Sequence, residues 1–129
     1  MMDKVLIVAA GLTAMCLCCP AEAATTETNF QVKTTRDLVT LCATPPSDPL
    51  ATAAVNFCEG FAVGAYQYHV VAEAATKAKP LFCFPSPTPS RNEAIRQFIA
   101  WSDQHSDVLD RPAIEGMFTF LKDRYPCRS

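Results

Sequence analysis

Glycine is scarce in this sequence, which has four glycines among 129 residues. Phosphate-binding loops and the GxSxG elbow of serine hydrolases both require closely spaced glycines in fixed patterns, and neither pattern occurs. Histidine is scarcer still, with two residues, which leaves few groups for acid–base catalysis or metal binding. These shortages remove most of the sequence patterns that are typical of enzymes.

A surplus of basic residues is also missing. The chain has 11 Lys and Arg residues against 13 Asp and Glu residues, a net charge of −2. Proteins that bind nucleic acid neutralise phosphates with Lys and Arg, and binding to an anionic membrane surface needs the same surplus. We therefore expect neither nucleic acid nor a membrane among the partners of the mature protein.

A hydrophobic run does occur, and it lies at the amino terminus. Lys4 precedes an uncharged stretch from Val5 to Cys19, and Ala21-Glu22-Ala23 fits the small-x-small rule of signal peptidases. This order of segments predicts a signal peptide at residues 1–23 that is cleaved after Ala23. Residues 24–129 are then expected to form one exported domain in the periplasm.

An uncleaved anchor and a lipoprotein are the alternatives to cleavage. A membrane span takes about 20 apolar residues, and the run here is shorter. A lipoprotein needs Leu three residues before the modified cysteine and a small residue directly before it. Cys16, Cys18 and Cys19 follow Met15, Leu17 and Cys18, so none of them fits well.

Four cysteines remain in the exported part, namely Cys42, Cys58, Cys83 and Cys127. An even number of cysteines in a small exported domain is typical of disulfides. Zinc sites use closely spaced cysteine or histidine pairs, and these four lie too far apart for that. We predict two disulfides, no metal site and no cofactor.

Capping residues and prolines divide the domain into four helices with no strand pattern. The predicted helix starts are Thr34 or Thr35, Asp48-Pro49, Ser90 with Glu93 three residues later, and Asp110. The second helix is predicted to run from Pro49 to about Lys77. The segment 24–29 is polar and is expected to be loosely ordered. The predicted fold is an all-α bundle of about four helices, stapled by two disulfides.

Three connectivities are possible for four cysteines. A short turn joins the third and fourth helices, so they are expected to run antiparallel, with the start of the third near the end of the fourth. Cys83 precedes the third helix and Cys127 follows the fourth. This geometry favours Cys83–Cys127, which leaves Cys42–Cys58.

Gly60 and Gly64 lie one turn apart within the predicted second helix. Each costs about 1 kcal/mol relative to alanine inside a helix. Close approach of another helix would offset that cost, so we predict that these glycines form a helix-packing face.

Neither histidine lies in a pattern that supports catalysis, and no catalytic residue is predicted. His69 has Glu73 one turn later, which favours a local i,i+4 hydrogen bond. His105 lies in a polar turn between the third and fourth helices, with Asp103 and Asp107 on either side and Asp110 further on. A metal-binding turn is conceivable there, but solvated polar surface is the simpler interpretation.

Taken together, these segments resemble the Rap/Tai family of immunity proteins. The resemblance rests on Phe30 with Thr35-Arg36-Asp37-Leu38-Val39-Thr40-Leu41-Cys42, on Asn56-Phe57-Cys58-Glu59-Gly60-Phe61-Ala62-Val63-Gly64-Ala65, on Leu81-Phe82-Cys83-Phe84-Pro85, and on Arg124-Tyr125-Pro126-Cys127. It covers nearly all of the exported domain. The four cysteines and the Cys-x-Gly-x-x-x-Gly stretch are its specific part.

The resemblance implies a small helical protein, often dimeric, that inhibits a peptidoglycan amidase delivered by a type VI secretion system. Inhibition by binding needs a rigid, exposed feature rather than a catalytic group. The turn with Asp103, His105 and Asp107 is the preferred partner-binding segment, and the proline-rich stretch from Phe84 to Ser90 is the second. The alternative function is a periplasmic helical binding or chaperone-like protein without a toxin partner.

Overall fold

The computed structural model describes residues 24–128. The predicted signal peptide and its cleavage site lie outside these residues. Within the described part the regular structure consists of four α-helices and two short 3-10 helices, with no strand. They are a 3-10 helix at Glu27–Gln31, α1 (Thr35–Cys42), α2 (Ala51–Thr76), α3 (Arg91–Ser102), a 3-10 helix at Ser106–Val108, and α4 (Ala113–Arg124). The all-α prediction is confirmed.

The shortest α-helix, α1, occupies the centre of the fold. It contacts the first 3-10 helix, α2, α3 and α4. Leu38 packs against core residues of α3 and α4, while Leu41 packs against Ala54 and Cys58 of α2. Both leucines are almost completely buried. An eight-residue helix is not stable alone in water, so this packing is what maintains α1.

The amino end of α1 is capped by the predicted threonine. The Thr34 hydroxyl accepts a hydrogen bond from the Asp37 N–H at 3.2 Å, and the Asp37 carboxylate accepts one from the Thr34 N–H at 3.0 Å. Asn29 donates a further hydrogen bond to Asp37. Burial alone would raise the pKa of Asp37, but the hydrogen bonds from Thr34 and Asn29 outweigh it and lower that pKa.

The segment before α4 supplies the other partners of the α1 amino end. The Thr35 N–H donates to the Arg111 carbonyl at 2.8 Å, and the Arg36 N–H donates to the Leu109 carbonyl at 2.8 Å. The Thr35 hydroxyl lies 3.2 Å from the Pro112 carbonyl as well. These bonds satisfy N–H groups that a helix leaves unpaired in its first turn.

Of the other three predicted helix starts, that of α3 is confirmed, because Ser90 accepts the Glu93 N–H. The predicted start of α2 is displaced: Asp48 accepts the Leu50 N–H in the preceding turn, but α2 begins at Ala51, and Leu50 at its cap position provides no side-chain hydrogen bond. The predicted cap of α4 is wrong. Asp110 does not cap α4, because its carboxylate instead pairs with Arg36 of α1 at 2.9 Å. Pro112 occupies the capping position, and its side chain has no hydrogen-bonding group.

The preferred disulfide connectivity is confirmed. Cys42 bonds to Cys58 and joins α1 to α2, and Cys83 bonds to Cys127. The second half of α3 packs against the end of α4, where Gln97 contacts Tyr125 and Trp101 contacts Asp123. The second disulfide ties the segment that leads into α3 to the residues that follow α4.

The amino-terminal segment is ordered, contrary to the prediction of a loose terminus. Thr25 is buried, and its hydroxyl shares a 2.7 Å hydrogen bond with that of Thr44. Its N–H donates to Asp48. Thr26 then caps the first 3-10 helix. These polar residues look loose in the sequence because their partners are 19 and 23 positions away.

The prediction that Gly60 and Gly64 form a packing face within the bundle is wrong. A Cβ atom built on either glycine meets nothing within 4 Å. Helix α2 packs on α1 through its other side, which carries Ala54 and Cys58. The close approach occurs at Gly116 instead, where a Cβ would collide with the buried Thr35 side chain.

No helix among residues 24–128 has the length and hydrophobicity needed to cross a membrane.

Candidate partner-binding site

The turn between α3 and α4 is rigid although it is largely exposed. Consecutive backbone hydrogen bonds run through it, from the Gln104 N–H to the Trp101 carbonyl and onwards to the bond that Arg111 N–H donates to Val108. Ser102 and Val108 anchor its two halves in the core, with 2% and 3% of their surface exposed. The turn thus presents its side chains on a fixed backbone.

His105 is held against the end of α3. Its ring stacks on Trp101, with centroids 4.0 Å apart and planes inclined by 16°. His105 Nδ1 lies 2.7 Å from the Trp101 carbonyl oxygen, to which it donates. Trp101 Nε1 donates to Asp123 at 2.8 Å, and His105 Nε2 lies 4.0 Å from the same carboxylate. The histidine is therefore part of a small surface cluster formed by Trp101, His105 and Asp123.

The acidic residues of the turn differ in how far they are neutralised. Asp103 and Asp107 are exposed, and Asp107 has only a loose ion pair with Arg111 at 4.0 Å. Asp110 is tied to Arg36 by a closer pair. Asp103, His105 and Asp107 lie in this one turn, and both carboxylates are accessible to solvent.

His69 has a structural environment. Its Nε2 lies 2.8 Å from the Glu73 carboxylate, as the i,i+4 interpretation predicts. The ring stacks on Phe82 and contacts Phe118, while Glu73 also accepts the Leu81 N–H. This network attaches the segment after α2 to that helix.

No cluster of three potential metal ligands occurs among residues 24–128. The disulfides occupy all four cysteines of this part of the chain.

The proline-rich stretch from Phe84 to Ser90 is the other segment predicted to meet a partner. The Cys83 N–H donates to the Tyr125 carbonyl at 2.7 Å, and Phe84 packs edge-on against the Tyr125 ring. Residues 85–88 are exposed beyond this attachment. The stretch is anchored at its root, like the turn, but it carries no charge.

A third exposed surface runs along α2. The outer α2 face consists of Ala53, Phe57, Gly60, Gly64, Tyr68 and Val71, which recur at helical spacing and include no charged residue. Tyr68 is 77% exposed and Val71 67% exposed. Single exposed apolar residues are normal, but a continuous row is typical of an interaction surface.

An apolar cavity of about 220 Å³ opens between α2 and α3. It exists because α2 packs on α1 rather than on α3. Leu38, Phe98 and Phe120 form its floor, and Ala62 and Ala94 lie on opposite walls. Arg91 is its one charged lining residue, and the Arg91 guanidinium pairs with Glu59 at 2.8 Å.

Comparison with protein families decides what the chain is. The family model described as Rap1a immunity proteins matches residues 34–127. The chain belongs to this family. The match includes α1 to α4 and both disulfides. Neither the comparison with curated proteins nor that with solved structures found a match.

Membership of the Rap1a family confirms the resemblance drawn from the sequence and identifies a non-enzymatic immunity protein. Such a protein acts by binding, so its exposed rigid surfaces are the relevant sites. The sequence predicts the turn and the proline-rich stretch as candidate partner-binding segments, because charge and proline mark them. It missed the outer α2 face, although the absence of charge there was a usable signal. The cavity left no signal in the sequence.

Proposed function

We propose that the protein protects the periplasm by binding and inhibiting a cognate peptidoglycan amidase effector of a type VI secretion system. The observation that carries this proposal is the Rap1a family match over residues 34–127. Two disulfides in a small domain are typical of an oxidising compartment such as the periplasm, which supports the predicted export.

The turn between α3 and α4 is the proposed contact with the effector. Its backbone is fixed by hydrogen bonds, so little conformational entropy is lost when it is bound. Asp103 and Asp107 offer exposed carboxylate acceptors, and His105 adds a ring whose position is set by Trp101. An amidase cleft that uses Cys and His presents hydrogen-bond donors, which such carboxylates complement.

The test combines binding and inhibition. The mature protein is titrated against an amidase encoded beside its gene, and amidase activity on peptidoglycan is measured in parallel. Asp103→Ala, His105→Ala and Asp107→Ala are then combined in one variant. We expect this variant to bind at least about tenfold more weakly, since each lost charged contact contributes about 1 kcal/mol or more.

Control variants keep the result interpretable. Glu27→Ala with Thr52→Ala changes two exposed residues that lie in other elements, the first 3-10 helix and α2, and should leave affinity unchanged. Circular dichroism and thermal unfolding report whether the triple variant is folded. Failure of the wild-type protein to bind or inhibit any adjacent amidase would contradict the function. Unchanged affinity of a folded triple variant would reject the turn and favour Phe84–Ser90.

We further propose that the outer α2 face pairs two copies of the protein. The row of small residues would allow two α2 helices to approach closely, with Tyr68 and Val71 burying most of the apolar surface. Static light scattering at several concentrations should then give a dimer. Val71→Glu should yield a monomer, whereas Thr76→Glu, on the same helix but off this face, should not. A wild-type monomer throughout would contradict the pairing.

A further inference from the structure

We propose that the cavity between α2 and α3 is a binding site for a small, uncharged aromatic molecule of one or two rings. This site is separate from the proposed effector contact and does not depend on the immunity function.

The size of the cavity sets the size of the ligand. A dry apolar cavity of about 150 Å³ in another protein takes up benzene. The cavity here measures about 220 Å³, so it offers room for a second fused ring. It opens to solvent between the two helices, and the ligand therefore has a path of entry.

The walls favour an aromatic ligand. Four aromatic residues line the cavity, namely Tyr66, Phe84, Phe98 and Phe120. Phe98 and Phe120 are 5.5 Å apart between ring centroids, and Tyr66 and Phe84 are 5.7 Å apart. Rings at such spacings accept another ring in offset or edge-on contact. Met117 adds a polarizable thioether, which also favours aromatic partners.

The charge at the cavity favours an uncharged ligand. Arg91 is the one charged residue in the lining, and Glu59 already neutralises it at 2.8 Å. A carboxylate on the ligand would have to compete with Glu59 for the guanidinium. An ionic group would also lose its hydration next to apolar walls, which costs free energy unless it is paired.

The floor of the cavity connects ligand binding to the stability of the whole fold. Leu38 belongs to α1, Phe98 to α3 and Phe120 to α4, and each is at most 4% exposed. A bound ring contacts the core residues of several helices at once. Because the unfolded chain has no such site, binding raises the thermal midpoint of unfolding.

The experiment uses indole as the probe with the mature protein. Calorimetric titration should show saturable one-to-one binding, and the NMR methyl signals of Leu38 and Met117 should shift with the same dissociation constant. Indole at ten times that constant should raise the thermal midpoint by about 5 °C. Indole-3-acetate, which adds a carboxylate, should bind at least about tenfold more weakly.

Cavity-filling variants locate the site. Ala94→Leu places a larger side chain in the cavity and should weaken indole binding about tenfold or more. Ala100→Leu lies on the same helix, is exposed and does not line the cavity, so it should bind indole like the wild type. Ala62→Leu, on the opposite wall, repeats the test if Ala94→Leu does not fold.

Three outcomes would overturn the proposal. The first is the absence of saturable indole binding to the folded wild-type protein. The second is equal or tighter binding of indole-3-acetate, which would make the opening an anion site. The third is indole binding that Ala94→Leu and Ala62→Leu leave intact. If the wild type does not bind indole and these variants lose effector binding, the cavity instead accepts a side chain of the partner.

Discussion

Replacing Gly116 by alanine is expected to destabilise the protein, although alanine is the better helix former. Gly116 lies in α4 directly over Thr35, the first residue of α1. A Cβ atom on Gly116 would come within 3 Å of three Thr35 side-chain atoms, the Thr35 Cβ at 2.8 Å among them. Non-bonded carbon atoms normally approach to about 3.5–4.0 Å, so one helix must move.

Thr35 cannot move out of the way without loss. It is fully buried, its side chain is branched at Cβ, and its hydroxyl lies within hydrogen-bonding distance of the Arg111 and Pro112 carbonyls. Overpacking a rigid core costs about 1–3 kcal/mol, and disturbing these hydrogen bonds adds about 1 kcal/mol. The higher helix propensity of alanine offsets about 1 kcal/mol of this loss. The expected net loss is about 2 kcal/mol, or a thermal midpoint lower by about 10 °C.

Gly60→Ala is the matched control when it is made in the Val71→Glu background, which keeps the protein monomeric, because it makes the same chemical change at an exposed position with open space around it. It should raise the stability by about 1 kcal/mol. Urea unfolding followed by circular dichroism measures both variants, and Thr35→Ala in the Gly116→Ala background tests the contact itself. If the collision is real, Gly116→Ala costs less once Thr35 is shortened. A Gly116→Ala variant as stable as the wild type would refute the reasoning.

The disulfides and the α1 cap give two further expectations. Loop-closure entropy predicts that removing the Cys83–Cys127 disulfide, which spans 44 residues, lowers the free energy of unfolding by about 4 kcal/mol. Removing Cys42–Cys58, which spans 16 residues, should lower it by about 3 kcal/mol. The urea midpoints of the two paired Cys→Ala variants test which disulfide contributes more. Asp37 has a lowered pKa in the folded protein, so its contribution is present above the ordinary carboxyl pKa and is lost as the pH falls through the folded value. Asp37→Asn should therefore cost about 1 kcal/mol at pH 7 and little at pH 2, and an equal cost at both pH values would contradict this.

Local chemistry explains which parts of the fold could be predicted from the sequence. Thr34 and Ser90 cap helices with partners three residues away, and His69 meets Glu73 one turn later; all these pairs are close in sequence. The disulfide pairing could be predicted because two helices joined by a short turn are expected to run antiparallel.

The incorrect predictions concern partners that are distant in the chain. Asp110 pairs with Arg36, 74 positions away. A capping rule based on neighbouring residues therefore predicted wrongly that Asp110 caps α4. Gly60 is exposed because α2 packs on α1 through its opposite side, whereas Gly116 contacts α1. Helix propensity is the same for both glycines and could not distinguish them. The cavity likewise results from an interhelical gap, which no short motif encodes.

The central position of α1 affects how the chain can fold as it is made. Its first residue, Thr35, takes its hydrogen-bond partners from Arg111 and Pro112, 76 and 77 positions later. The core around Leu38 includes Met117 and Phe120 of α4. A nascent chain in which α4 has not yet been synthesised therefore cannot dock α1 or form the core around Leu38. The native structure can thus be completed only after α4 has been synthesised.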